Sequence, residues 1–445
     1  MIRRHAQLAV LDGRVAADVL IDIDDGGITA VTRDAPAPPD AERLTGLTLP
    51  GFANTHSHAF HRALRGRTHD GTSTFWTWRE KMYAVAERLD PDSYLTLARA
   101  VYAEMALAGI CCVGEFHYLH HRPDGTPYDD ANAMSAALAQ AADEAGIRIT
   151  LLDTCYLTGG IGEPLSGVQR GFGDGDADGW MRRVAAFRPV GRHAKVGAAV
   201  HSVRAVPAGQ IPTVSRWAGE QGWPLHVHLS EQRGENDACD HAYGKTPTRL
   251  LADAGALGPR TVAVHAVHLR RDDIELLGDS GAGICLCPTT ERDLADGIAP
   301  ARALADAGCP LSVGSDSHAM IDPLIEARSI ELDERLRSEI RGNFTSAALL
   351  DAATATGHAA LGWPGAGRIA PGAPADLVTV DLDGVRLAGI GADDSTALDG
   401  VVYAGTAADV RQVMVGGREV VRDGVHLLVD DVPGELRRAI GRVTT

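Results

Sequence analysis

The chain has 445 residues and a formal net charge of −17 at pH 7, with 45% hydrophobic residues and no apolar run long enough to cross a membrane. This length predicts about two or three domains, and the acidic charge excludes nucleic acid as a partner, because nucleic acid requires a basic surface. The seven cysteines are scattered without CxxC pairs, and charge interrupts the short apolar stretches at the N-terminus, so we expect reduced thiols and a cytoplasmic location.

The two ends of the chain share one sequence pattern. Residues 1–48 contain β-branched or alternating segments that close at Gly or Asp, namely AQLAVLDG, VAADVLIDIDDG and GITAVTRD. After about residue 366 the same style returns in ADLVTVDLDG, VVYAG and VRQVMVGGREVVRDG. Alternation between turns is typical of half-buried antiparallel strands. We therefore predict that residues 1–48 and 366–445 form one small composite β-sandwich domain.

Residues 49–365 alternate between apolar, strand-like runs and segments of helical periodicity. The helical segments include SYLTLARAVYAEMALAG and ANAMSAALAQAADEAG, and several of them close at Gly. The strand-like runs number eight: LPGFANTH, ICCVGEFH, IRITLLDT, KVGAAVH, PLHVHLS, TVAVHAVH, AGICLCP and PLSVGSD. This arithmetic predicts an α/β fold of the (β/α)8, TIM-like barrel type rather than a doubly wound sheet, which commonly has about five or six strands.

Histidine and aspartate recur where the predicted barrel strands end. The active site of such a barrel lies at the carboxyl ends of its strands. The residues found there are His56 and His58 at strand one, His201 at strand four, His228 at strand five, His265 at strand six and Asp316 at strand eight. A lone histidine at one strand end would not indicate a site. Histidine or aspartate at five of the eight strand ends predicts a shared site.

The pair His56 and His58 is the first part of a predicted metal site. Residues two apart on a strand share a face, so both side chains can point into the barrel mouth. With His228 and Asp316 they offer three nitrogens and one oxygen, which suits one Zn²⁺ with water in an open position, Fe²⁺ being the alternative. A bound divalent ion lowers the pKa of water to about 7. For His-x-His alone, a surface or loop pair is an equal alternative, which the four positions together disfavour.

A carboxylate and a further histidine complete the predicted chemistry. Glu231 follows His228 by three residues, so we expect it to carry a proton from the attacking water to a leaving nitrogen, a solvated loop carboxylate being the alternative. Asp316 is expected to help deprotonate that water and His265 to orient it. His226 lies one layer deeper on the strand and is interpreted as a packed core histidine.

These motifs resemble the amidohydrolase superfamily, with HxH after strand one, HVHLSE at strand five, VHAVHL at strand six and SVGSD at strand eight. The terminal segment GRIAPGAPADLVTVD is similar to the same superfamily, so the resemblance covers nearly the whole chain. Members with two metal ions bridge them with a modified lysine, commonly from strand four. Here strand four ends in His201, and Lys195 lies at its beginning. The resemblance therefore implies a single metal ion in a deaminase-like site.

More local segments resemble one subgroup of that superfamily, the formiminoglutamate deiminases: HSHAFHRALRGRT, FWTWREKMY, GEFHYLHH, HSVRAV and LCPTTERDLADG. This resemblance implies zinc-dependent hydrolysis of N-formimino-L-glutamate to N-formyl-L-glutamate and ammonia in histidine degradation, and we also expect a homodimer. It implies His56, His58, His228 and Asp316 as metal ligands, Glu231 and His265 as catalytic residues, and Arg79, Tyr118, His201 and Arg204 as substrate contacts. One pocket residue departs from many relatives, since His61 stands where glutamine is expected.

The residue chemistry agrees with a dicarboxylate substrate. Arginine is the best bidentate partner of a carboxylate, and Arg79 after FWTW and Arg204 just past strand four can provide two such partners, a surface salt bridge being the alternative for either. The alternative enzyme is an aminohydrolase acting on a ring, such as guanine, S-adenosylhomocysteine or a triazine. A non-catalytic scaffold barrel should have lost metal ligands or the proton carrier, and this chain keeps them.

Overall fold

The structure is a computed structural model that describes residues 1–69, 75–189, 191, 193–391 and 394–444. The strands are β1 Ile2–Leu11, β2 Arg14–Asp24, β3 Gly27–Thr32, β4 Glu42–Pro50, β5 Phe52–Ser57, β6 Ile110–His117, β7 Arg148–Cys155, β8 Ala194–Val200, β9 Leu225–Leu229, β10 Thr261–His265, β11 Gly283–Leu286, β12 Leu311–Val313, β13 Leu377–Val380, β14 Val410–Val415, β15 Arg418–Arg422 and β16 Val425–His426.

The helices lie mainly between the strands of the central region. They are α1 Phe75–Ala86, α2 Pro91–Leu107, α3 Ala133–Ala145, α4 Ala177–Ala186, α5 Ile211–Gln221, α6 Arg233–Tyr243, α7 Pro247–Asp253, α8 Arg271–Ser280, α9 Pro288–Asp293, α10 Ala301–Asp306, α11 Pro323–Ser338, α12 Ser346–Ala353, α13 Ala355–Ala360, α14 Asp394–Ala404 and α15 Val432–Thr444. Short 3-10 helices span Ala59–Leu64, Gly167–Phe172 and Ala407–Asp409. Among the described residues, no helix combines the length and the apolar character that a membrane span requires.

The central strands form the predicted barrel. Strands β5 to β12 pair in sequence order, and the register of each pair is parallel. The first and last strands meet at a bridge, where the Asp316 amide donates to the His56 carbonyl at 3.0 Å and the His58 amide donates to the Asp316 carbonyl at 3.3 Å. Each of the eight apolar runs is a barrel strand, so the predicted (β/α)8 fold is confirmed. This bridge brings Asp316 next to His56 and His58, which are three of the predicted metal ligands.

The terminal strands build a separate sheet, to which both ends of the chain contribute strands. Its strands are hydrogen-bonded into one continuous sheet in the order β16-β15-β14-β13-β4-β1-β2-β3. Alternating residues of β2, namely Val19, Ile21 and Ile23, are fully buried, which is the period-two pattern that the sequence displays. The chain leaves this sheet at Pro50 and enters the barrel at Phe52.

Two C-terminal segments differ from the sequence prediction. The segment VVYAG, predicted as a strand, lies in α14, where the neighbouring residues Val401 and Val402 are both buried against the barrel helices rather than alternating between two faces. The tail beyond β16 ends in α15, which packs on α2, and Arg99 of α2 forms an ion pair with Glu435 at 2.5 Å. A short apolar run has no period of its own, so packing decided its conformation.

A buried ion pair joins the barrel to the terminal sheet. Arg148, at the start of β7, pairs with Asp376, which precedes β13, and both side chains are buried. Asp376 also accepts a hydrogen bond from the Gly416 amide at 2.7 Å, and its carbonyl accepts one from the Gly51 amide at 2.9 Å. This contact fixes the terminal sheet to the end of the barrel opposite the histidine cluster.

Candidate active site

The four residues predicted as metal ligands converge at the carboxyl ends of the barrel strands. One ligand atom from each of His56, His58, His228 and Asp316 lies within 4.8 Å of the others, and all four residues are buried. Asp316 Oδ1 lies 3.2 Å from His56 Nε2 and 3.3 Å from His58 Nε2. His56 Nε2 and His228 Nε2 are 3.1 Å apart. The geometry therefore assembles a three-nitrogen, one-oxygen cluster from strands one, five and eight.

The hydrogen bonds around this cluster fit a cation at its centre. His58 Nδ1 lies 2.8 Å from the Phe116 carbonyl and His228 Nδ1 lies 2.9 Å from the His201 carbonyl. A carbonyl oxygen only accepts, so each Nδ1 carries the hydrogen and each Nε2 directs a lone pair inward. Two lone pairs and a carboxylate thus face one another without hydrogens between them. A divalent cation is the group that satisfies such a set of donor atoms.

Burial keeps the cluster in the protonation state that a metal ion needs. Desolvation lowers the pKa of His58 to about 3 and that of His228 well below its usual range, so both rings are neutral at pH 7. For Asp316, burial raises the pKa, but the hydrogen bond with His56 and the electrostatic attraction of His56 and His265 outweigh it and hold the pKa below its usual range. Metal ligands must be deprotonated, and these already are.

The backbone is strained at two residues of the site, Asp316 and His265. Asp316 has φ of 41° and His265 has φ of 72°, both in the left-handed region that residues other than glycine rarely adopt. Each costs free energy on the order of 1 to 3 kcal/mol and persists only where the surroundings enforce it. Such residues cluster at functional sites. The strain indicates that the ends of β10 and β12 are held in an unfavourable backbone conformation that directs the His265 and Asp316 side chains into the site.

His265 lies between the predicted proton carrier and the cluster. Its Nε2 is 3.8 Å from Glu231 Oε1 and 3.9 Å from Asp316 Oδ2. Burial lowers the pKa of His265, but the Glu231 charge and a hydrogen bond with Glu291 outweigh it and raise the pKa well above its usual range. Burial raises the pKa of Glu231. The arrangement places a hydrogen-bond donor and a carboxylate that can hold a proton on one side of the cluster.

Glu291 is a site residue that the sequence reasoning missed. Its Oε1 lies 3.3 Å from His265 Nδ1 and accepts a hydrogen bond from the Cys287 amide at 2.9 Å. The carboxylate accepts from His265 Nδ1, which leaves His265 Nε2 facing the cluster. Glu291 ends the segment CPTTE after strand seven, but the sequence of this segment does not show which strand the Glu291 side chain faces.

A cavity of about 300 Å³ opens beside the cluster. The five residues predicted as substrate contacts all line it: His61, Arg79, Tyr118, His201 and Arg204. Glu231, predicted to carry a proton, and the catalytic candidates His265 and Asp316 line it as well. Its wall also contains residues that were not predicted: Tyr83, Tyr156, Phe172 and Glu235. The sequence prediction therefore named one connected site, although it left part of the wall unassigned.

The two arginines occupy different surroundings in this wall. Arg204, with 17% of its side chain exposed, lies 3.5 Å from Glu231 Oε2 through Nη2 and 3.4 Å from Glu235 Oε2 through Nε. Arg79 extends from α1, and its guanidinium lies over the Tyr83 ring at 5.6 Å. Arg204 therefore compensates buried carboxylates next to the cluster, which the sequence did not predict. Arg79 lies against the Tyr83 ring, and Tyr83 is also a neighbour of Arg204.

Aromatic rings connect the cluster to the rest of the wall. His61 Nε2 lies 3.2 Å from the Tyr118 hydroxyl, and the His61 ring packs 4.5 Å from the ring of His58. His201 packs 5.0 Å from the ring of His228 and 4.4 Å from the ring of Tyr156. The unusual histidine at position 61 is thus buried between a metal-cluster residue and a cavity tyrosine.

Two other residues, Lys195 and His226, lie where the sequence predicted them. Lys195, at the start of β8, donates to the Gly362 carbonyl at 2.5 Å and lies over the Trp363 ring, away from the cluster. His226 is buried and bonds to the Ala360 carbonyl at 3.1 Å, as a core histidine does. No second group of metal-binding residues occurs in the described part of the chain.

A closed (β/α)8 barrel with a histidine and aspartate cluster at the carboxyl ends of its strands defines a metal-site hydrolase fold. The sequence pattern of the amidohydrolase family matches residues 47–420, and the chain belongs to this family. It is 38% identical over 434 residues to formimidoylglutamate deiminase from Pseudomonas aeruginosa, with 95% of each chain covered. It is 31% identical over 443 residues to 8-oxoguanine deaminase from the same organism, with 95% of this chain and 94% of that protein covered. The crystal structure of an amidohydrolase from Brucella melitensis superposes over the full length of both chains, with a TM-score of 0.89 and 34% identity.

Proposed function

We propose that this chain hydrolyses N-formimino-L-glutamate to N-formyl-L-glutamate and ammonia, with one zinc ion per chain, in the degradation of histidine. The observation that carries the proposal is the pair Arg79 and Arg204 in the wall of the cavity beside the metal cluster. Two guanidinium groups suit a substrate with two carboxylates. The 38% identity with a formimidoylglutamate deiminase supports the same assignment.

The arginine pair distinguishes this substrate from the ring substrates of related deaminases. Guanine and 8-oxoguanine carry no carboxylate and S-adenosylhomocysteine carries one, so at least one of two cationic side chains at their site would lack a matching group. A scaffold without catalysis has no support in this site, because the four ligand candidates, Glu231 and His265 are all in place. The dicarboxylate is therefore the substrate class that the cavity suits best.

The chemistry divides between the metal ion and the side chains of the chain. His56, His58, His228 and Asp316 would hold a zinc ion, which would supply a Lewis acid and would lower the pKa of water. Asp316 Oδ2 takes a proton from the attacking water, and His265 Nε2 donates a hydrogen bond that orients the water oxygen toward the formimino carbon. The formimino nitrogen receives two protons, the one that Asp316 took and, through Glu231 Oε1, the one left on the attacking oxygen, and it leaves as ammonia. The C–N bond breaks, a C–O bond forms, and the product is the N-formyl compound.

The arginine pair can be tested with methionine variants. We expect Arg79→Met to lower kcat/KM for formiminoglutamate at least about tenfold, mainly through KM, because a substrate carboxylate loses its partner. We expect Arg204→Met to lower it roughly 30-fold or more and to reduce kcat as well, because Glu231 and Glu235 lose their compensating charge. Steady-state ammonia release measures both constants.

The matched control is Arg88→Met, an exposed arginine just beyond α1 that does not line the cavity. It should leave both kinetic constants within about twofold, since surface charges contribute little. Metal content should be unchanged in all three variants, because none of these arginines belongs to the cluster. Normal deimination by both cavity variants would remove the main physical support for the dicarboxylate assignment.

A further inference from the structure

Two tyrosine hydroxyls in the cavity wall are held by one buried glutamine. Gln169 Nε2 donates to the Tyr83 hydroxyl at 3.0 Å and to the Tyr156 hydroxyl at 3.2 Å. Gln169 and Tyr156 are buried, and both tyrosines line the cavity. The three side chains come from α1, from the loop after β7 and from the 3-10 helix Gly167–Phe172. Separate elements of the chain therefore build one polar group, which we call the tyrosine–glutamine triad.

The orientation of the glutamine amide follows from its other contacts. Gln169 Oε1 lies 3.2 Å from the Ser166 amide nitrogen and 3.2 Å from the Ser166 hydroxyl. A backbone N–H only donates, so the oxygen of the amide must face Ser166 and the NH₂ group must face the tyrosines. Each phenol oxygen consequently acts as an acceptor toward the glutamine.

This orientation makes the triad a hydrogen-bond donor toward the cavity. A phenol oxygen that accepts an amide hydrogen still carries its own hydrogen, and burial raises the pKa of Tyr156, so this hydroxyl stays protonated. The Tyr156 and Tyr83 hydroxyls also share one hydrogen bond, which leaves one of the two hydroxyl hydrogens for the cavity. The glutamine carbonyl is turned away and offers the cavity no acceptor. Arg79 lies over the Tyr83 ring, next to the triad. A donor hydrogen next to a guanidinium group suits an anion rather than a cation or a neutral ring.

The triad lies at a distance from the metal cluster that suits the far end of a glutamate skeleton. From His228, the ring of His201 is 5.0 Å away, and the ring of Tyr156 is a further 4.4 Å from that of His201. The formimino carbon and the side-chain carboxyl carbon of formiminoglutamate are five bonds apart, roughly 6 Å when extended. The α-carboxyl carbon is only three bonds from the reacting carbon, and so it falls closer to Arg204, which contacts Glu231.

We propose that Tyr83 and Tyr156, oriented by Gln169, bind the side-chain carboxylate of the substrate and so determine its selection. This inference rests on the proposed function, because it assigns part of that substrate to a part of the wall. Gln169 acts through the tyrosines and is a positioning residue. The tyrosine–glutamine triad therefore adds a neutral hydroxyl donor to the two charged arginines. Gln169 fixes the orientation of this donor before the substrate binds.

The test uses the metal-loaded enzyme and three compounds of equal length: N-formimino-L-glutamate, N-formimino-L-glutamine with a side-chain amide, and N-formimino-L-isoglutamine with an α-amide. We expect the wild-type chain to prefer the first compound over the glutamine analogue. Tyr83→Phe and Tyr156→Phe should each raise KM for formiminoglutamate roughly 10- to 100-fold, as expected for a lost hydrogen bond to a charged group, with kcat within about twofold. The α-amide analogue should suffer the same loss, and the glutamine analogue a much smaller one.

Gln169→Glu tests the positioning role separately. A carboxylate has no hydrogen to donate and accepts from both hydroxyls, which turns them away from the cavity while the size of the side chain is kept. It should raise KM as strongly as the phenylalanine variants, with the thermal unfolding midpoint close to that of the wild type. The control is Tyr128→Phe, a tyrosine that packs on Arg122 outside the cavity, and it should change neither constant.

The outcomes separate the inference from the proposed function. A wild-type chain that releases no ammonia from formiminoglutamate overturns the proposed function, and the inference with it. A wild-type chain that is active, together with phenylalanine variants that keep the wild-type KM or the preference over the glutamine analogue, overturns the inference alone. A fall in kcat at unchanged KM overturns it too, because the triad would then act on the reaction rather than on binding.

Discussion

At the scale of single residues, hydrogen bonds from Nδ1 to main-chain carbonyls orient His58 and His228 so that their Nε2 atoms point into the cluster. The alternation of side chains along a strand predicted that His56 and His58 share a face, and the ends of strands five and eight supplied His228 and Asp316. The carbonyl partners of His58 and His228 come from Phe116 and His201 on neighbouring strands. These carbonyl contacts depend on the register between neighbouring strands, which a local sequence pattern does not reveal. The contact of Glu291 with His265 could not be predicted for the same reason.

The first residue-scale prediction concerns Glu231. Glu231→Gln keeps the size of the side chain but removes its ability to carry a proton, so we expect kcat to fall about 10²- to 10⁴-fold. Zinc content should stay at about one ion per chain, because Glu231 is not part of the cluster. Steady-state ammonia release and metal analysis on one preparation measure both quantities. Near-normal kcat in this variant would mean that the proton reaches the leaving nitrogen by another route.

At the scale of elements, the apolar runs of the barrel were predictable because each strand is buried along its length. Strands β6 and β7 are buried at every residue, so their sequences are mostly apolar and do not alternate with polar residues. The segment VVYAG shows the limit of such reasoning, because a short apolar run takes the conformation that its neighbours impose. The helix α15 was missed for a related reason, since its position depends on its contact with α2.

The element-scale prediction concerns Gly314, where strand eight approaches strand one. A Cβ atom at this position would lie 2.9 Å from the His56 carbonyl oxygen and 3.0 Å from the His56 amide nitrogen. Gly314→Ala should therefore push the two strands apart and separate Asp316 from the histidines. Overpacking of this kind costs roughly 1 to 3 kcal/mol, which corresponds to a loss of about 5- to 150-fold in zinc affinity if the metal site bears the strain.

The matched control is Gly283→Ala on strand seven, where the nearest atoms to a new Cβ are 3.7 Å away. Zinc retention is measured by competition with a chelator of known affinity. Gly283→Ala should bind zinc as the wild type does. Equal zinc affinity in the Gly314 and Gly283 variants would show that the closing contact between the first and last strands does not set the ligand spacing.

At the scale of the whole molecule, the barrel and the terminal sheet are joined through the pair Arg148 and Asp376. Residues 148 and 376 are far apart in the chain, so the composition of the two segments predicted one terminal domain but not the contact that fixes it to the barrel. Asp376→Ala would leave Arg148 charged and buried, and removing one partner of such a pair costs about 3 to 5 kcal/mol. Urea unfolding at pH 7 measures this loss.

The control for that experiment is Glu275→Ala, which breaks an exposed ion pair. The Arg271 side chain is 89% exposed and the Glu275 side chain is 58% exposed. An exposed pair contributes on the order of 0 to 1 kcal/mol, so this variant should unfold close to the wild type. An Asp376→Ala chain as stable as the Glu275→Ala chain would mean that the terminal sheet is held to the barrel by other contacts. The homodimer expected from the sequence stays a prediction.

The measurement that tests the central claim most directly is ammonia release by the zinc-loaded wild-type chain from three compounds at equal concentration. These are N-formimino-L-glutamate, 8-oxoguanine and S-adenosylhomocysteine. The arginine pair beside the cluster predicts that kcat/KM for formiminoglutamate is at least about 10³-fold above that for 8-oxoguanine, which has no carboxylate, since each carboxylate contributes binding on the order of 2 kcal/mol or more. S-adenosylhomocysteine has one carboxylate, so kcat/KM for formiminoglutamate should exceed its value by about 30-fold or more. Faster release from 8-oxoguanine or S-adenosylhomocysteine than from formiminoglutamate would contradict it.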